Sequence, residues 1–212
     1  MSNIAKAKYF ILISVVNLVS YFLIQSFVTN HEISFMTEVD YAIPFMPEYI
    51  WIYHTILPVF GFTLILLVKK RKVFFNTLWA SILATIVLST AFIVFPSFYP
   101  RNEFVANTIS EKLVLLTRSI DAPHNTFPSN HVTFAWILFW GSYYSKISKE
   151  VLGVRSLYFV WAVGVSFSTV ALKQHYAVDV AAGFILATLI YHFTKSVISH
   201  YNLYNDYNEP YL

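Results

Sequence analysis

Residues 9–28, YFILISVVNLVSYFLIQSFV, carry no charge, and an apolar run of that length limits the possible folds more than any motif in the chain. A bilayer core about 30 Å thick takes roughly 20 apolar residues as a helix, and other open backbone would leave N–H and C=O groups unpaired there. Comparable runs extend from about Tyr49 to Val68, Val73 to Phe95, His131 to Ser145, Leu157 to Leu172 and Val178 to Phe193. The runs from His131 and Val178 are short, so their ends must pass through polar residues or lie near an interface. His54, Asn76 and Ser81 interrupt the second and third runs, as a bundle interior allows. Charged residues make up only 12% of the chain, against about 25% in soluble domains. The expectation is an all-α polytopic membrane protein with six transmembrane helices. Residues 1–198 form one domain, and the polar tail 199–212 is flexible or lies along the membrane surface.

Lys6 and Lys8 ahead of the first run invite comparison with a signal peptide. The apolar part is long, however, and no small-residue cleavage pattern follows, which favours a retained helix. With six spans, Lys6, Lys8, Lys69, Lys70, Arg71, Lys72, Lys146, Lys149, Arg155 and Lys195 fall on one side, which the positive-inside rule makes cytoplasmic. The other side holds Glu32, Glu38, Asp40, Glu48, Glu103, Glu111 and Asp121, and among basic residues only Arg101, Lys112, Arg118 and Lys173. Both termini are then cytoplasmic, and the inner membrane of a bacterium is the expected location. A net charge of +3 offers no nucleic-acid footprint, and without cysteine there is no thiolate nucleophile, disulfide or Cys-based metal site.

Two polar knots interrupt this pattern: TFPSNHVTFAW at 126–136 and LKQHYAVDVAAG at 172–183. Six spans bring both to the outer face. His175 and Asp179 are four apart, and share a face if the helix already begins near His175; if it starts after Tyr176 they can still meet across a turn. A carboxylate on one ring nitrogen fixes the tautomer and raises the basicity of the other, as a histidine nucleophile requires. The plainer alternative makes Asp179 a helix cap and His175 an interfacial residue. In FPSNH, Pro128 restricts the backbone and Ser129 or Asn130 can cap the fourth span. The unpaired amides of that helix start suit phosphate oxygens, and His131 projects from the first turn as a candidate proton donor. The same residues also make an ordinary capped helix start.

Cations are the third element. Phosphoryl transfer spreads charge over equatorial oxygens, and positive clamps answer it. Arg101 and Lys173 are the stronger phosphate ligands and Arg118 the weaker; Lys112 suits a lipid headgroup. Interfacial snorkelling is the competing explanation. His131, His175 and Asp179 could in principle ligate a metal, but cations would crowd that site and no close His pair fixes two ligands on one element. His31, His54 and His124 are spare, His54 as a packed or interhelical bonding residue and His124 as a possible pocket lining.

The two knots resemble the second and third signature motifs of the type 2 phosphatidic acid phosphatase superfamily. The second is usually Pro-Ser-Gly-His and reads here Pro128, Ser129, Asn130, His131. The third usually runs Ser-Arg, five residues, His, three residues, Asp; Ser168, His175 and Asp179 match it, whereas Thr169 stands in place of the arginine. The first motif, Lys, six residues, Arg-Pro, is missing, since Lys112 and Arg118 are one residue too close and no proline follows. The wider pattern, with YPR, DAPxNxFPSxH and KQHYxVDVxAG, is similar to the branch of bacterial members and inositol phosphorylceramide synthases. In that branch Arg101 and Lys173 would replace the missing cations.

The resemblance implies a six-helix bundle with its site near the external surface. It makes His175 the nucleophile, His131 the general acid and Asp179 the residue that orients His175. Ser129, Asn130, Ser168 and the cations would hold phosphate, and no metal or organic cofactor is needed. The leading expectation is a phosphatase for a lipid phosphate or pyrophosphate at the outer leaflet. The alternative is a phosphotransferase that passes a phospho-headgroup between lipid and alcohol. A non-enzymatic scaffold or transporter would leave three polar groups at membrane depth without a reason. The oligomeric state is left open, because no apolar seam stands out from lipid-facing surface.

Overall fold

A computed structural model describes residues 1–28, 33–151 and 153–204. The expectations placed on His31, Glu32, the Lys149 side chain and tail residues 205–212 lie outside the described residues. Every regular element among the described residues is helical. In chain order, α1 is Asn3–Phe27 and α2 is Glu38–Ala42; a 3-10 turn, Pro47–Tyr49, leads into α3, Ile50–Tyr53. Then come α4, Ile56–Phe62, which ends in a π turn over Thr63–Leu67, and α5, Arg71–Val94. The remainder are α6, Ile109–Ile120; α7, Asn130–Tyr144; α8, Lys146–Glu150; α9, Val154–Ala171; and α10, Ala177–His200.

Among the described residues, five helical stretches are long and apolar enough to cross a membrane: Asn3–Phe27, Pro47–Leu67, Arg71–Val94, Val154–Ala171 and Ala177–His200. Their outward residues are what lipid, not water, would select: Leu12, Leu157, Val160, Leu189 and Phe193 are all exposed by more than half. The expected fourth span corresponds to α7, which is as short as its sequence indicated: 15 residues, about 22 Å at 1.5 Å per residue. It forms the centre of the bundle, packed on α5, α9 and α10, with Val132 through Phe139 all buried. The last span meets its expectation, since α10 extends through polar residues to His200.

Lipid tails are as apolar as leucine, so helix association here depends on close packing and interhelical hydrogen bonds rather than on hydrophobic burial alone. Gly141 faces Thr77 so closely that a Cβ would come within 2.7 Å of its hydroxyl. Trp136 donates to Ser166 Oγ (3.1 Å) and Trp140 to Thr188 Oγ1 (3.2 Å), tying α7 to α9 and α10. α1 is held more loosely, by Lys6 Nζ to the Val68 carbonyl (2.5 Å) and Asn17 Nδ2 to Thr85 Oγ1 (3.2 Å). Tyr204, from the tail, stacks on Phe75 at 4.1 Å.

At the end of the bundle that carries both polar knots, the connecting segments fold over the helices. Tyr176 is fully buried and its hydroxyl links Ser34 Oγ (2.8 Å) to the Phe98 carbonyl (2.7 Å). Phe98 pairs with His124 as an isolated antiparallel bridge, and Tyr99 N–H donates to the Pro123 carbonyl (2.9 Å). The amphipathic α6 lies in this layer. Its start is a capping box in which Thr108 Oγ1 accepts from Glu111 N–H (3.2 Å) and Glu111 Oε2 accepts from Thr108 N–H (2.8 Å). The Thr108 and Asn107 N–H groups, both donating to Oε2, hold the Glu111 carboxyl below its usual range.

Candidate active site

α10 begins at Ala177, so the His175–Asp179 pair forms across the turn that enters the helix, not along one helical face. Asp179 is wholly buried and does two things at once. Its Oδ2 accepts from Tyr176 N–H (2.9 Å), capping the helix, and lies 3.3 Å from His175 Nδ1. The cap and the histidine partner, posed as alternatives by the sequence, are therefore one carboxylate.

The tautomer of His175 follows from a contact the sequence does not announce. Nδ1 also lies 2.8 Å from the Thr126 carbonyl. A carbonyl only accepts, so Nδ1 carries a proton, and in the neutral ring it is Nε2 that holds the lone pair. Thr126 is fixed in turn, its hydroxyl donating to Ser97 Oγ at 2.7 Å. The His175 backbone is set by the Thr169 carbonyl, which accepts from the amides of both Gln174 and His175. Thr169, in the place of the family arginine, closes its own hydroxyl on the Ser166 carbonyl (2.8 Å). Ser168 does likewise on Val165 (2.6 Å).

The second knot arrives through helix packing. The Phe127–Pro128 peptide is cis, and Ser129 is the N-cap of α7, its Oγ accepting from Val132 N–H at 3.4 Å. Ser129 N–H donates to the Asp179 carbonyl (3.2 Å), joining the two helix starts directly. That approach needs Gly183, where an added Cβ would meet the Ser129 carbonyl at 3.0 Å and Val132 Cβ at 3.1 Å. His131, on the first turn of α7, stacks on Tyr53 (centroids 4.0 Å apart) and sits within electrostatic reach of His175. The structure therefore brings His131, His175, Asp179 and Ser129 together from α7 and α10.

The cations separate into two groups. Arg101 donates to Gln174 Oε1, one residue from His175, and to the Asp121 and Ala122 carbonyls. Its guanidinium also lies 3.7 Å from the Asp121 carboxylate, which Tyr21 binds at 2.6 Å. Arg118 and Lys173 are engaged with the loop layer. Arg118 donates to the carbonyls of Asn102 and Leu172 (both 3.1 Å) and lies over the rings of Phe45 and Phe104. Lys173 donates to the Asp40 carbonyl (2.7 Å) and to that of Ile43. Its φ of 57° is left-handed, a conformation that costs a non-glycine residue about 1–2 kcal/mol and that its two carbonyl partners help to hold.

Burial, and after it the charge of Arg101, bring the Arg118 guanidinium down to about 10. Burial lowers Arg101 and Lys173 from their ordinary values too. Burial raises the Asp121 carboxyl. Arg101 thus lies close enough for its charge to disfavour a second cation at Arg118. Among the described residues, no group of three His, Asp or Glu side chains is placed to hold a metal ion.

Several supporting residues escaped the sequence reading. Asp40, buried, takes Ala177 N–H (2.7 Å) on one oxygen and Thr37 on the other, clamping the loop layer to the start of α10. Thr126, Gln174, Asp121 and Tyr53 act through tertiary contacts that no spacing encodes. α6 did leave a signal in Thr108-x-x-Glu111 ahead of an apolar run. Of the spare histidines, His54 bonds across to Thr117 of α6 (2.9 Å).

A family model described as the PAP2 superfamily matches residues 26–193 of the chain. No curated protein matches the sequence significantly.

Proposed function

We propose, since the chain belongs to the PAP2 superfamily, that this integral membrane protein is a lipid phosphate phosphatase working through a phosphohistidine on the extracytoplasmic side. The observation that carries the reading is the hydrogen bond from His175 Nδ1 to the Thr126 carbonyl, with Asp179 beside it, which in the neutral ring turns the lone pair to Nε2, the nucleophile of this reading. Nε2 attacks phosphorus in line, and the bond from phosphorus to the lipid oxygen breaks. His131 protonates that departing alkoxide, while Asp179 stabilises the positive charge on the His175 ring. Water then attacks phosphorus, His131 takes its proton, and the P–N bond breaks, so that inorganic phosphate leaves and the His175 lone pair is restored.

Arg101 is the foremost phosphate ligand because its guanidinium adjoins Gln174. Ser129 and the first amides of α7, that of Asn130 included, complete the cradle. Arg118 and Lys173 are secondary ligands, since their hydrogen bonds go to backbone carbonyls alone, whereas Arg101 also reaches the Gln174 side chain, and Ser168 supports the scaffold. Counting α7 as a span gives six crossings. The positive-inside rule then puts Lys69–Lys72 and both termini in the cytoplasm and the site at the outer leaflet, in the inner membrane of a bacterium.

Thr169 and the missing first motif support a second reading, a phosphotransferase of the inositol phosphorylceramide synthase-like branch. There an alcohol replaces water in the second step. Detergent-purified protein, with EDTA present, decides between them. Phosphate release from a lipid phosphate that falls to background in His175→Ala is the expected result. Product formation only when an alcohol acceptor is added would replace hydrolysis with transfer. Undiminished release by His175→Ala would end both.

A further inference from the structure

A cavity of about 130 Å³ lies between α1, α4 and α7, and His131 is in its wall. It has room for about four waters or a short polar segment, not for a whole lipid. Leu18 and Leu57 line it while remaining 46% exposed, so its rim meets the surrounding bilayer. Three polar side chains at membrane depth face the same space: Ser14, Asn17 and Asn130.

Their hydrogen bonds have a definite direction. Thr85 Oγ1 donates its proton to the Ser81 carbonyl (3.0 Å), so it must accept from Asn17 Nδ2 (3.2 Å). Asn17 Oδ1 is then the acceptor for Asn130 Nδ2 (3.4 Å). What is left over is Asn130 Oδ1, buried and without a partner, and Ser14 Oγ, buried and equally without one. Both residues line the cavity, whose wall is otherwise mainly apolar, and a bare polar atom at this depth is costly.

We propose that this cavity is the subsite for the polar linkage of the substrate lipid, and that it selects lipids carrying a hydroxyl or amide donor and a carbonyl close to the phosphate. The inference rests on the phosphatase reading above. With phosphorus at His175 and the leaving oxygen at His131, the next atoms of the lipid enter the cavity that His131 lines. Their donor meets Asn130 Oδ1 and their carbonyl meets the Ser14 hydroxyl; the tail leaves past Leu18 and Leu57. A monoacylglycerol phosphate and an N-acyl sphingoid phosphate both present this pair. A diacylglycerol phosphate presents carbonyls alone, and a polyprenyl phosphate presents neither.

The test compares kcat/KM for these four lipids in mixed micelles, using wild type, Ser14→Ala and Asn17→Leu. Wild type should favour at least one donor-bearing lipid over polyprenyl phosphate by about tenfold, as one matched hydrogen bond allows. Whichever of the two donor-bearing lipids leads names the source. Both variants should shrink that ratio severalfold, whatever happens to the absolute rates. An unchanged ratio in both variants, or a wild-type preference for the diacyl or polyprenyl lipid, overturns the subsite and leaves the phosphatase standing. No phosphate release from any of the four by wild type overturns both.

Discussion

His175 is fixed by two oxygens that differ in kind: the Thr126 carbonyl holds the ring's proton in place, and the Asp179 carboxylate supplies charge. The two can be separated by Asp179→Asn. The amide oxygen can still cap Tyr176 N–H, and Thr126 still holds the tautomer, but the negative charge beside the imidazolium is gone. Loss of an orienting carboxylate in other histidine-based sites lowers kcat by up to about 10⁴. Here, with Thr126 sharing Nδ1, a fall of about 10²–10³ in kcat is expected, with KM and the melting temperature little changed. Steady-state kinetics beside a thermal melt checks it, and full activity would remove Asp179 from the mechanism. The four-residue interval between His175 and Asp179 was legible from the chain alone. The Thr126 carbonyl was not, because a backbone oxygen has no sequence signature and reaches His175 only through the loop that carries it.

Among elements, the site depends on how closely the starts of α7 and α10 approach. Gly183 sets that distance, with the Ser129 carbonyl, Val132 and Thr133 all within 3.2 Å of where a Cβ would stand. Backbone cannot yield as a flexible side chain does, so Gly183→Val must push the helices apart. The expected result is a less stable protein, by about 1–3 kcal/mol as for overpacked cores, with activity falling further than stability because His131 moves relative to His175. Gly183→Ala should show a smaller version of both effects. Activity measured at a temperature where the variants are fully folded separates the two contributions. Most of the helices were readable in the sequence from their apolar length. α7 was read as a span because its sequence is as apolar as the others, and its shortness acquires meaning only from the helices that enclose it. α6 was missed although its capping box was present, since an amphipathic helix lying on a bundle has no membrane-length signature.

For the whole molecule, orientation is the property most open to direct measurement, because the chain contains no cysteine. A single cysteine at Glu103, which is exposed in the loop layer over the site, should react with a membrane-impermeant maleimide on intact cells. One at Lys69, exposed at the other end of α4, should react only after the membrane is opened. The reverse pattern would turn the site toward the cytoplasm. By itself the sequence determined the solvent of this protein, its all-helical character and the residue types of two polar knots. Each is a local property, a matter of composition, run length or spacing along one stretch of chain. The tertiary structure decided which knot residues touch, that a single carboxylate serves both cap and histidine, that Arg118 and Lys173 hold loops while Arg101 reaches the His175 turn, and that a mainly apolar cavity with a few polar residues in its wall adjoins His131. Those outcomes depend on helix approach and on hydrogen-bond partners up to 142 residues distant, as in Ser34 with Tyr176, and only the packed bundle brings such partners within reach.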